Sequence, residues 1–155
     1  MNELPFVRRR LWPLLFPATY LVHIAEEYWG GEGFYRWIAR IGGSGLTAER
    51  FLALNALAWA VMFVVCAAAV LLPNLRWPGV AFGTVVLLNG AAHVVASFAT
   101  VTYSPGVVSG ALLWIPLGAI TLYDSYGRAK LTHFVMAVAV GLALHAIVSV
   151  VVFID

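Results

Sequence analysis

Apolar residues fall into five long blocks, at about 11–29, 51–72, 79–101, 107–123 and 131–154, with short polar or turn-forming segments between them. At about 1.5 Å per helical residue, blocks of this length cross a hydrocarbon core of about 30 Å. They are too long for barrel strands, and a helix satisfies its own backbone in lipid. The pattern therefore predicts an all-α membrane bundle of five transmembrane helices, a single domain over residues 1–155. Arg8, Arg9 and Arg10 precede the first block as they would in a cleavable leader. Glu26 and Glu27, however, stand where small cleavage-site residues belong, so the block reads as retained.

The connectors carry turn signals: Pro73-Asn74 and Trp77-Pro78-Gly79, then Ser104-Pro105-Gly106, then Asp124-Ser125-Tyr126-Gly127. Their shortness makes neighbouring helices antiparallel. Only the segment from Gly30 to Arg50 is longer. Its mixture of Trp37, Ile38 and Ile41 with Arg36 and Arg40 predicts a short amphipathic helix at the interface, ended by Gly42-Gly43-Ser44-Gly45. With glycines on both sides, it could also act as a lid. No internal repeat of useful length is seen.

Composition agrees with this pattern. The chain has 155 residues, of which 63% are hydrophobic and only 10% charged, and these proportions exclude a soluble or disordered chain. The formal charge is +2, with basic residues scattered or near span ends, so nucleic acid is not an expected partner. The single cysteine, Cys66, can form no internal disulfide and reads as a small core hydrophobe. Outside the spans, a cytoplasmic amino terminus puts Arg8, Arg9, Arg10, Arg76, Arg128 and Lys130 inside and Arg36, Arg40 and Arg50 outside. This balance predicts a multi-pass cell-membrane protein with its carboxyl terminus outside. Homo-oligomerisation stays open.

Ionisable residues inside spans are costly and mark candidate sites. His23, Glu26 and Glu27 share one helix face by their i, i+3, i+4 spacing. Asn89 and His93 are one turn apart with Ser97 continuing the stripe, and His145 lies between Gly141 and Ser149. At about 1.5 Å per residue, His23 and Glu27 fall about 18 to 24 Å from the cytoplasmic end, and His93 and His145 fall near 21 Å by the same count. One polar layer thus collects imidazoles and carboxylates, the donors of a zinc, iron or manganese site. Each residue also has a structural alternative. His145 alone could be a hydrogen-bonded packing residue, Asn89 could orient the His93 ring, and Glu27 could sit solvated at the interface beside Tyr28 and Trp29. His133 and the tryptophans Trp12, Trp29, Trp59, Trp77 and Trp114 read first as interfacial residues, and Asn55 could go either way.

His23-Ile24-Ala25-Glu26-Glu27, Asn89-Gly90-Ala91-Ala92-His93 and the run from Tyr103 to Ser109 resemble, in order, the HxxEE, NxxxH and YxPGxxT motifs of the HXXEE-domain family of small integral membrane proteins. Ser109 stands where that pattern favours Thr, which keeps the hydroxyl. The resemblance implies a shared polar site containing Asn89, His93 and Tyr103, and it names no substrate. Pro105-Gly106 reads independently as a tight turn that could bring the Tyr103 hydroxyl to the site.

The function expected from these residues is a membrane-embedded, metal-dependent enzyme acting on a lipid or other hydrophobic small molecule, with its His/Glu site in the outer half of the bilayer. His23, Glu27, His93 and His145 would hold a divalent metal. Glu26 would serve as general base or further ligand, with Asn89 and Tyr103 completing the catalytic set. Alternatives are a metal-free acid/base isomerase or cyclase, a haem or electron-transfer protein ligated by His93 and His145, and a transporter.

Overall fold

The structure is a computed structural model that describes residues 11–154 apart from Ser44 and Pro73. Arg8, Arg9 and Arg10, which weigh in the orientation count, lie outside the described residues. Among the described residues there are helices and no strands. A 3₁₀ turn, Trp12–Leu14, leads into α1 (Leu15–Trp29). Then come α2 (Phe34–Arg40), α3 (Ala48–Leu71), α4 (Trp77–Thr100), α5 (Val107–Tyr126) and α6 (Leu131–Ile154).

Four of these helices, α3 to α6, are long and apolar enough to cross a membrane. The first apolar block differs from the other four. Its opening residues wind as a 3₁₀ turn around Pro13, and Gly30 ends α1 after 15 residues, about 22 Å of helix. The amphipathic helix expected between the first two blocks is α2, and its apolar face is covered by protein. Trp37 and Ile38 are buried in a cluster with Leu46 and Phe51, while Arg36 and Arg40 are exposed and Arg40 pairs with Glu32. The Trp37 indole donates to Thr102 Oγ1 at 3.1 Å, which ties α2 to the α4–α5 connector.

α4 is the central helix. About half of its apolar stretch is buried, whereas α3 and α6 bury only a small share of theirs. Small residues let its neighbours approach closely, as membrane helices require where hydrophobicity gives no drive to associate. A Cβ on Gly90 would come within 2.7 Å of the Gly110 carbonyl of α5, and one on Gly141 of α6 within 2.5 Å of the Ala81 carbonyl. The core beside this contact joins Phe16, Met62, Cys66, Phe82, Val86 and Trp114. Cys66 takes the buried, unpaired role its apolar surroundings suggested. Residues Gly110–Trp114 of α5 form a π-helical segment, a type of irregularity common where a side chain is re-aimed at a site.

Candidate metal centre

Two helices and one connector build the site. α1 presents His23 and, one turn on, Glu27; α4 presents His93. All three side chains are buried, and one ligand atom from each lies within 4.8 Å of the others. Glu27 Oε1 is 3.3 Å from His93 Nε2 and 3.7 Å from His23 Nε2. The rings meet edge-to-face with centroids 5.0 Å apart. One carboxylate oxygen and two imidazole nitrogens thus converge on one point.

The far side of each ring is fixed by a serine. His23 Nδ1 lies 2.8 Å from Ser109 Oγ, and His93 Nδ1 lies 3.0 Å from Ser104 Oγ. Ser109 Oγ is also 3.4 Å from the Gly106 carbonyl, and whether His23 Nδ1 or Ser109 Oγ donates in their bond depends on the tautomer. With the proton on Nδ1, the lone pair of Nε2 is directed toward Glu27, 3.7 Å away. His23 Nε2 is buried and makes no hydrogen bond of normal geometry, with the Asn89 amide as a neutral polar neighbour of the ring. An orphaned imidazole nitrogen next to a carboxylate and a second imidazole is the arrangement a cation satisfies. Trp114, at the end of the π-helical segment, stacks on His23 with centroids 3.7 Å apart, and Tyr20 stacks on Trp114 in turn.

Ser104 and Ser109 flank Gly106, whose φ of +100° favours glycine. A Cβ there would lie 2.9 Å from Cε1 of both His23 and His93 and 3.1 Å from Glu27 Cγ. The Pro105-Gly106 turn is therefore one wall of the site.

Glu26 is held apart from the three-residue cluster. Its Oε1 accepts from the Tyr103 hydroxyl at 2.6 Å and from Val108 N–H at 2.9 Å, and its Oε2 accepts from Ser109 N–H at 2.6 Å. The residue before α5 is Gly106, which has no side chain to cap the helix, so Glu26 caps it from another helix. Burial and the bond to Glu26 push the Tyr103 phenol up to about 12. Its hydroxyl reaches Glu26 rather than the imidazoles.

Among the other residues singled out in the sequence, Asn89 and His145 line the same cavity of about 390 Å³ as His23, Glu27 and His93. His145 is outside the group whose ligand atoms lie within 4.8 Å. Asn89 does not orient the His93 ring, because Ser104 occupies Nδ1; its own Oδ1 is buried and unpartnered. Asn55 accepts from the Tyr20 hydroxyl at 2.8 Å. The sequence did not single out Ser104, Ser109 or Trp114 as neighbours of the histidines. The available signal was that both serines fall inside the run from Tyr103 to Ser109.

Fold and site together define a helical membrane protein with a buried histidine–glutamate cluster that could hold a metal. The chain belongs to the family of proteins of unknown function with an HXXEE motif, which matches it over residues 14–121. That stretch contains all three motifs. No curated protein and no solved structure matches the chain.

Proposed function

We propose that His23, Glu27 and His93 hold a divalent metal and that the protein is a membrane-embedded enzyme acting on a lipid or other hydrophobic small molecule. The observation that carries the metal is the His23 ring, anchored on Nδ1 by Ser109 and left without a partner on buried Nε2, beside Glu27 and His93. Two imidazoles and one carboxylate suit zinc or iron and leave further coordination positions open. A metal there supplies Lewis acidity and a more acidic bound water. His145 and Asn89, on the walls of the same cavity, face whatever occupies those positions.

The cavity walls support the substrate class. Phe51 and Leu54 of α3, Val148 and Val152 of α6, and Trp37 and Ile38 of α2 surround the polar end with apolar surface. An acyl or isoprenoid chain fits such walls with its polar group at the cluster. Glu26 contributes by holding Tyr103 and the start of α5, and through Ser109 it sets the His23 ring.

Metal analysis of protein purified without added metal tests this reading. Near-stoichiometric zinc, iron or manganese is expected in the wild type, and His23→Ala, His93→Ala and Glu27→Gln should each lose it. Equal metal content in all four proteins would overturn ligation. One observation favours a second reading: Glu27 Oε1 at 3.3 Å from His93 Nε2 can pass a proton without any metal. A metal-free wild type that still converts a hydrophobic substrate, and loses turnover in Glu27→Gln, would select that alternative.

A further inference from the structure

A second cavity, of about 890 Å³, lies at the opposite end of the bundle. It is lined by the last turns of α3 and the first turns of α4 and α6, whereas the cluster faces the first half of α3 and the second halves of α4 and α6. Its mouth carries Arg76 from the α3–α4 connector, Arg128 and Lys130 from the α5–α6 connector, and His133 from the first turn of α6. Among the described residues, one carboxylate, Asp124, lines the cavity against these three formal positive charges, and it is buried and already paired with Arg128. Arg76 and Lys130 are exposed.

Two further features define the ligand. Trp12 and Trp77 also line the cavity, residues of the type that sits at headgroup depth in a bilayer, and Trp12 packs directly over Gly79. Below them the walls turn apolar, with Val70 of α3, Val80 of α4, and Met136, Ala137 and Val140 of α6. Such a lining is complementary to an anionic head joined to an apolar chain. Basic pockets between membrane helices bind anionic headgroups by this combination.

We propose that this cavity is a binding site for the phosphate headgroup of an anionic phospholipid, with Arg76 and Lys130 as the accessible charges and Arg128 held in place by Asp124. The site is independent of the metal centre and lies at the end that the distribution of Lys and Arg assigns to the cytoplasm, where the leaflet is anionic. It would anchor the bundle's basic end in that leaflet.

Native mass spectrometry of the full chain, released from vesicles of phosphatidylcholine doped with phosphatidylglycerol of the same acyl chains, tests the site. Phosphatidylglycerol should be retained preferentially. Arg76→Gln and Lys130→Gln should each lower its retention about fivefold, Arg76→Lys should preserve it, and Arg36→Gln, on α2 at the other end, should leave it unchanged. Excess inorganic phosphate should not displace the lipid. Equal retention of the two lipids, unaltered retention in both Gln variants, or complete displacement by inorganic phosphate would each overturn the proposal.

Discussion

His23 and Ser109 are 86 residues apart in the chain, yet Nδ1 of one lies 2.8 Å from Oγ of the other. The bond orients the ring so that Nε2 faces Glu27, and Ser104 does the same for His93. Such partners raise ligand basicity and typically carry about 10- to 100-fold in metal affinity. Ser104→Ala and Ser109→Ala should therefore weaken metal binding by that factor without abolishing it, as read by competition with a chromogenic chelator. Ser109→Thr, which keeps the hydroxyl, should bind like the wild type.

Gly106→Ala tests the connector as a wall of the site. The αL backbone costs an alanine about 1 to 2 kcal/mol, and the new methyl would meet His23, His93 and Glu27 at once. Both thermal stability and metal content should fall. Gly42→Ala provides the comparison, since Gly42 also has positive φ but nothing within 4 Å of its Cβ position. It should lose stability alone.

Glu26→Gln separates the two adjacent glutamates. A carboxamide offers only one acceptor oxygen for the three donors that Glu26 satisfies. The start of α5 should loosen, at a cost of about 0.5 to 2 kcal/mol, while the metal stays bound. Glu27→Gln should do the reverse to metal content. If Glu26→Gln strips the metal as fully as Glu27→Gln, Glu26 is itself a ligand.

The Tyr103 phenol gives an alkaline signature. An unfolded tyrosine titrates near 10, and here burial and the bond to Glu26 push the group up to about 12. The folded chain holds this proton more tightly than the unfolded one. The resulting stabilisation is complete below about pH 10 and is lost as the pH rises toward about 12. The difference in melting temperature between wild type and Tyr103→Phe should therefore narrow across that interval. A gap that is constant with pH would mean that the phenol keeps its ordinary titration.

Much of this protein can be read along the chain because lipid imposes local rules. Every backbone group in a span must be satisfied within its own helix, so apolar length alone marked the helices that became α3 to α6. The i, i+4 spacing of His23 and Glu27 put both on one face, and the cost of burying them pointed to a shared site with His93. Other features depended on packing between distant segments. Nothing local distinguishes Glu26 from Glu27, and their separation into cap and cluster member arises only when α5 begins against α1. Ser104, on the connector, and Ser109, in the first turn of α5, show no pattern that marks them, and their position against the imidazoles is set by the left-handed backbone of Gly106 and the close approach of Gly90 to Gly110. The sequence by itself determined which segments are apolar enough to cross a membrane and which polar residues within the apolar blocks are costly to bury. The tertiary structure decided which atoms of those residues meet, because ring orientation and hydrogen-bond partners come from contacts between helices rather than from spacing within one.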